Sequence, residues 1–295
     1  LKTMSLAVKH DRLITKTVDN AVKSMLYEVT ATPKPGLVDP VSSGPHPDMD
    51  AFNFIDSAVS LTPYLRACFD TGWQTNFMAL PALFEQIRPL GIQAEKTMFE
   101  ATNQINTHKG AIFSLGVLVT ATGYLFRNGE VAFSAERVTE TVKQMLTGLT
   151  AHDFDGVFDK PQSTLTAGER QFVKYGETGI RGEAENGYPT VLTVGLPFLR
   201  QASGTRNQRL LDTLMKIVSQ SRDSNLIKRA GTRKVIDWAH HEAKQFLALG
   251  GSQTAEGRQK LVELNKTFLA RNLSLGGSAD LLILTIYFGL MEGSL

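Results

Sequence analysis

The chain has 295 residues, 42% of them hydrophobic, with 31 Lys and Arg against 29 Asp and Glu for a formal net charge of +2. That is enough apolar material for a large buried core, and the mixed, nearly balanced charge excludes the broad basic face of a nucleic-acid binder. Its one cysteine, Cys68, excludes internal disulfides and thiolate zinc sites.

The N-terminal stretch carries Lys9, His10 and Arg12 with no apolar signal core. Leu13, Val18, Ala21, Val22, Met25, Leu26 and Val29 then recur at three- and four-residue steps and predict an amphipathic helix that Pro33 ends. Asp50 is placed to N-cap a second helix through Phe52, Ile55, Ala58, Val59 and Leu61. Cys68, among Leu65, Ala67 and Phe69, reads as a small core residue. Met78 to Ile105 predicts one or two helices, with Pro89-Leu90-Gly91 as a break. Ala111 to Leu125 is apolar nearly all round, the pattern of a helix buried inside a bundle.

Val138 to Leu149 predicts another helix, and residues 151–168 a looser polar connection. Tyr188 to Leu199 is helical in pattern but interrupted by Pro189, Gly195 and Pro197. Leu210 to Gln220, Thr232 to Leu249, Thr254 to Asn272 and Ala279 to Leu290 are helical, and strand alternation is nearly absent. The runs 111–126 and 281–291 are too short or too interrupted by Gly and Thr to predict a membrane span. The expectation is an all-α protein, residues 1–295 forming a single multi-helix bundle in a reducing cytoplasm, with functional loops at its helix junctions.

The chemistry-bearing residues gather in Gly- and Pro-punctuated knots at those junctions. Lys34 stands between Pro33 and Pro35 ahead of Gly36, where a stiff backbone limits the entropy lost when a lysine engages a phosphate; a plain helix stop is the alternative. Asp39, His46, Asp48 and Asp50 follow closely, and clustered carboxylates call for a cation or a cap. Asp50 can serve as a cap, so Asp48 is the better magnesium ligand. His108-Lys109-Gly110 opens the buried helix, where backbone N–H groups and a lysine attract anions.

Gly176, Gly179, Gly182 and Gly187 surround Glu177, Arg181, Glu183 and Glu185, so that the backbone can approach a ligand while Arg181 grips a phosphate bidentately. Neither a Walker A nor a Rossmann fingerprint is present. Asp223 and Asn225 supply hard oxygen ligands just before Arg229, in a stretch where Arg222, Lys228, Arg229, Arg233 and Lys234 form either an anion grip or a solvated face. Gly276-Gly277-Ser278-Ala279-Asp280 joins two helices, with Ser278 as expected N-cap and Asp280 in the first turn.

Taken together, these motifs resemble the triphosphoribosyl-dephospho-CoA synthase family. The likeness runs from about Val18 to Met291 and is carried by Tyr27-Glu28-Val29, residues 32–39, Gly44, His46, residues 48–50, 106–110, 176–183, 223–225 and 276–282. Departures are Ala230 where the family often has Gly, Leu275 where it has Pro, and Pro40 where a basic residue is common.

The resemblance implies a pentosyltransferase that moves the triphosphoribosyl group of ATP to the 2'-hydroxyl of 3'-dephospho-CoA and releases adenine. It makes the prosthetic-group precursor that a separate transferase passes to the acyl carrier protein of citrate lyase, with malonate decarboxylase as the alternative pathway. On that reading Mg2+ is the cofactor, held with the ATP triphosphate by Asp48, Asp223 and Asp280, while Lys34, Lys109, Arg181 and Arg229 neutralise the phosphates. Glu183 is the general base, His46 or His108 protonates the leaving adenine, and Asp39, Asp50, Glu177 and Asn225 support the site. Neither nucleic acid nor membrane is an expected partner. A magnesium-dependent ADP-ribose hydrolase, a non-catalytic module binding CoA or an acyl carrier, and a helical scaffold whose knots are only caps are the competing readings.

Overall fold

The structure, a computed structural model, describes residues 6–76 and 79–295 and among them contains no strand. Met78, where the sequence pattern placed the start of the fourth helix, lies outside the described residues. Helix α1 spans Leu6–Thr30 and buries Ile14, Val18, Ala21, Met25 and Val29 along one stripe, as the periodicity predicts. A loop without regular structure follows and is organised by Asp39. Its carboxylate accepts from the Thr32 hydroxyl and from the backbone N–H groups of Lys34, Val41 and Ser42, at 2.8–3.0 Å.

Asp50 caps α2 (Ala51–Ser60) in a reciprocal capping box with Asn53. Helices α3 (Thr62–Gln74), α4 (Leu80–Ala101) and α5 (Lys109–Arg127) come next. Pro89 does not break α4, contrary to expectation: the helix continues through it because Leu83, Phe84, Ile87, Ala94 and Met98 stay on one buried face. That burial offsets the one hydrogen bond a proline removes. Buried Cys68 faces the core, which pushes its thiol up to about 12.

Helix α5 is the axis of the bundle, packing on α1, α3 and α4. Its crossing with α3 depends on glycine at both contact points. A Cβ on Gly72 would fall 2.0 Å from the Thr120 carbonyl oxygen, and one on Gly123 would fall 2.4 Å from that of Phe69. By length and composition α5 passes the test for a membrane span, with 19 residues and a mean hydropathy of 1.4, which the sequence pattern had excluded. Its apolar surface is nonetheless used inside the bundle, 78% of the window being buried.

Helices α6 (Ala135–Met145) and α7 (Leu149–Asp153) replace the single predicted helix, and two short 3-10 turns occupy the polar connection behind them. Helix α8 (Ala167–Tyr175) ends on left-handed Gly176, and the glycine-rich knot after it is itself helical, as α9 (Gly179–Glu185). A π-helical turn, Val191–Gly195, runs into α10 (Leu196–Gln201). Then come α11 (Arg206–Val218), α12 (Ser224–Ala230), α13 (Lys234–Ala248), α14 (Ala255–Ala270) and α15 (Gly276–Glu292). Helix α15 starts earlier than its apolar run, with Leu275 rather than Ser278 at the cap. It packs on α1, α5 and α11, and its buried face joins one apolar core that extends from Ile14 to Met291.

Candidate functional site

Two long helices, α5 and α15, begin at the same cavity; no side chain caps the start of α5, whereas the Asp223 carboxylate accepts from the Ser278 N–H in the first turn of α15. The first N–H groups of a helix have no partner within it and carry the positive end of its dipole, so this wall suits an anion. The cavity holds about 180 Å³. Among the sequence candidates it is lined by His46, His108, Lys109, Asn225 and Asp280, and it also exposes Glu28 of α1.

Glu28 lies on the otherwise apolar stripe of α1 and is buried with its counter-ion. The Lys34 ammonium, 1% exposed, donates to the Glu28 carboxylate and, at 2.6 Å, to the Glu28 carbonyl. Burial nevertheless raises the Glu28 pKa, the neighbouring lysine only opposing it. Lys34 is therefore not the free phosphate grip expected from its proline setting: its charge is spent on Glu28, and it does not line the cavity.

Asp280 has no hydrogen bond or ion pair among the described residues. Burial, with Glu28 and Asp223 adding like charge, pushes its carboxyl up to about 8. It sits directly against the first turn of α5, where a Cβ on Gly110 would fall 2.0 Å from Oδ2. Gly110→Ala is accordingly expected to displace the carboxylate and lower substrate turnover about 100-fold, the scale at which misplacement of roughly 1 Å acts. Circular dichroism should stay native; unchanged turnover would mean the Asp280 position is immaterial.

The two histidines differ in kind. A guanidinium can only donate, so the 3.1 Å contact from Arg229 makes His46 Nδ1 an acceptor and leaves the ring proton on Nε2, which donates to Ser274 Oγ at 3.1 Å. Burial and then Arg229 lower the His46 pKa. His108 pairs through Nδ1 with Ser57 Oγ at 2.7 Å, while its buried Nε2 has no partner. Burial, helped by the charge of Lys34, pushes it down to about 3. His108 is thus an uncharged hydrogen-bonding group at neutral pH, not a stored proton. The buried hydroxyl of Thr107, another lining residue, is also unpartnered.

Other sequence candidates lie elsewhere. Asp223 caps α12: Oδ1 accepts from Leu226 N at 3.0 Å, and Oδ2 accepts from the backbone and hydroxyl of Ser278 at 2.7 and 2.9 Å. Those bonds engage both oxygens and fasten α12 to α15, and Asp223 does not line the cavity. Asp48 is exposed and outside the cavity lining, and Asp50 is the α2 cap. Asp39 is the loop organiser described above. Glu177 is held by Arg222 and Arg233 at 2.5 and 3.2 Å. Glu183 accepts from the Thr190 hydroxyl and backbone, so its carboxylate braces the π-helical turn and does not line the cavity. Arg181 pairs with Asp153 on a neighbouring cavity. Arg229 donates to Pro45 O, Asn272 Oδ1 and His46, fastening the α1–α2 loop to the end of α14.

Glu28 and Thr107 stood in the motifs of the sequence reading without a site role, and Ser57 and Ser274 had none. Glu28 had a usable signal, a carboxylate three residues after Met25 on the buried stripe; the others are ordinary polar residues whose partners lie far off in sequence.

The sequence profile of the family described as "CitG: ATP:dephospho-CoA triphosphoribosyl transferase" matches residues 14–295. A Lactiplantibacillus plantarum protein named "Probable 2-(5''-triphosphoribosyl)-3'-dephosphocoenzyme-A synthase" is 57% identical over 273 residues, 92% of this chain and 96% of its own. "Protein CitXG" of Leuconostoc mesenteroides subsp. cremoris is 47% identical over 281 residues, which are 95% of this chain and 60% of that longer protein. A Streptococcus equi subsp. equi protein bearing the same name as the first is 39% identical over 289 residues, 93% of this chain and 96% of its own. No solved structure gives a significant match.

Proposed function

Because the chain belongs to the ATP:dephospho-CoA triphosphoribosyl transferase family, we propose that it transfers the 5-triphosphoribosyl group of ATP to the 2'-hydroxyl of 3'-dephospho-CoA with release of adenine. The observation that carries this reading into the structure is the cavity at the starts of α5 and α15. It combines an unpaired carboxylate, Asp280, with two unpartnered buried polar groups, Thr107 and His108. That inventory suits a reaction that builds positive charge on a ribose while a polyanion is held nearby.

In the transfer the C1'–N9 bond of ATP breaks with its electron pair going to adenine. A new C1'–O bond forms to the acceptor 2'-oxygen, whose proton is removed, and adenine takes up a proton. Asp280, once ionised, is the carboxylate that would stabilise the oxocarbenium-like ribose and receive the hydroxyl proton; burial and the charge of Glu28 hold its proton up to about pH 8 in the ligand-free protein, so turnover is expected to rise with pH toward that value. This moves the base role from Glu183 to Asp280. Uncharged His108 Nε2 orients a substrate polar group, and the α5 start with Lys109 meets phosphate oxygens.

Among the described residues no cluster of three or more His, Cys, Asp or Glu could hold a metal by itself. Magnesium on a nucleotide needs only one or two carboxylates, the rest of its shell being phosphate oxygens and water; Glu28 is held by Lys34, so Asp280 is the carboxylate of this cavity that could meet such an ion, in place of its role as base. Bound there, the ion would neutralise and order the triphosphate. The names CitG and CitXG favour the citrate lyase setting, the product then passing in the cytoplasm to an acyl carrier protein through a separate transferase.

The test is adenine release from magnesium ATP with and without 3'-dephospho-CoA, both nucleotides being followed by mass. Adenine formed only with the acceptor, together with a triphosphoribosylated product, is expected. Adenine formed without it would point to a hydrolase, and none in either case to a binding protein.

A further inference from the structure

Beside the first cavity lies a second, of about 240 Å³, that none of the roles above uses. Tyr64, Phe84, Ile87, Phe113 and Val117 line it together with the charged Arg88, Glu95, Asp153 and Arg181. The two cavities share the first turns of α5. Lys109 lines one and Phe113 the other, one turn and about 6 Å apart along the helix axis. Between them Lys109 pairs with Glu95 at 2.9 Å, so this ion pair is the partition.

The partition is charged, and its cations and carboxylates balance. Arg88 and Arg181 share the buried carboxylate of Asp153, and Arg181 also feels the charge of Glu95. Three cations, Arg88, Lys109 and Arg181, meet three carboxylates at this border, Glu85, Glu95 and Asp153. Burial and the proximity of Arg88 lower the Arg181 pKa, although Asp153 pairs with it.

We propose that the second cavity receives the pantetheine arm of the acceptor, with the acceptor's diphosphate on the Lys109 and Arg181 border. The proposal rests on the transfer reaction above. Its support is the order of groups along the ligand. In 3'-dephospho-CoA the reacting 2'-hydroxyl is on a ribose whose 5' carbon carries the diphosphate, and the pantetheine chain begins beyond it. The protein offers the same order: reaction cavity, a border carrying the cations Lys109 and Arg181, and a cavity walled by Tyr64, Phe84, Ile87, Phe113 and Val117. A chain with methyl groups, two amides and a thiol matches apolar walls that also carry polar groups. In filling the border the diphosphate takes Lys109 from Glu95, which opens the partition only for an acceptor that carries it.

Gly91 allows a test that spares the fold. It lies within α4, lines this cavity, and a Cβ there would meet nothing closer than the Tyr64 hydroxyl at 3.7 Å. Gly91→Leu fills the cavity and favours helix. Binding of 3'-dephospho-CoA and of ADP, which is the same acceptor without its arm, is measured by calorimetry on wild type and variant. Wild type is expected to prefer 3'-dephospho-CoA over ADP at least tenfold, and Gly91→Leu to bring that preference below threefold with ADP affinity unchanged.

No preference in wild type, or a preference undiminished in the variant, would overturn the proposal. Ile92→Glu, at an exposed position on the cavity mouth, serves as the second variant should the first unfold, with the same expected loss. Adenine release by wild type is run in parallel: its absence rejects the transfer reaction itself, whereas its presence with an unaltered binding ratio rejects only the pantetheine subsite.

Discussion

Asp280→Asn is expected to reduce adenine release about 1000-fold while raising the melting temperature of the ligand-free protein at pH 8. Both effects come from one unfavourable placement. The carboxyl is half-buried in the cavity wall without a counter-ion, beside Glu28 and Asp223, and desolvation with their like charge raises its pKa from the ordinary 3.8 to about 8. Loss of a single preorganised electrostatic group at a reacting centre commonly removes about 100- to 1000-fold in rate, and here the same group also accepts the proton.

The stability sign follows from proton linkage. The folded state holds a proton on Asp280 up to about pH 8, whereas the unfolded chain releases it near 3.8. Stability from this group is therefore fully present below the unfolded value and is lost as pH climbs through the folded one. Asn does not titrate, so its advantage should be small at pH 5 and largest at pH 8, where a gain of at least ~3 °C is expected for a chain of this size. Scanning fluorimetry across that range checks it; a difference independent of pH would show that burial of charge is not its origin. If Glu183→Gln proved the more damaging variant for turnover, with Asp280→Asn nearly normal, the base role would return to Glu183.

The helices were largely legible because their signals are local. The 3.6-residue period of α1, the all-round apolarity of α5 and the Asp50 cap each need no more than a turn or two of context. Pro89 misled because propensity was outweighed by a buried face distributed over the whole of α4. The glycine-rich knot misled because glycine permits a loop without requiring one, and α9 forms there.

At the candidate site the meeting of the knots was legible while the pairing of their side chains was not. Knots around 34–46, 107–110 and 276–280 do converge on one cavity, since they terminate helices that meet there. Which carboxylate is free, however, depends on partners distant in sequence. Asp223 and Asp280 look alike as acids near helix starts; one is engaged by Leu226 and Ser278, the other by nothing. Lys34 looks like an exposed phosphate grip until the last turn of α1 brings Glu28 against it.

That last pair sets the largest expected effect on stability. Lys34→Met is expected to destabilise the protein by about 3–5 kcal/mol, because removing one member of a buried ion pair leaves the other charge uncompensated. Both side chains are almost wholly buried, so solvent cannot take over the lysine's role. The loss should grow with pH. Glu28 already has a raised pKa with the lysine present; without it the carboxylate holds its proton to still higher pH, and the missing attraction is felt only where the group would ionise.

Glu28→Gln combined with Lys34→Met removes both charges and should recover most of the stability, since an uncharged pair of similar volume is often no less stable than the ion pair it replaces. Urea unfolding at pH 6 and pH 8 measures all three variants. Recovery of stability without recovery of adenine release would place the purpose of the pair in the potential it presents to the cavity. Recovery of both would make Lys34 and Glu28 a structural pair only, and Asp280 would then have to act without an acidic neighbour's help.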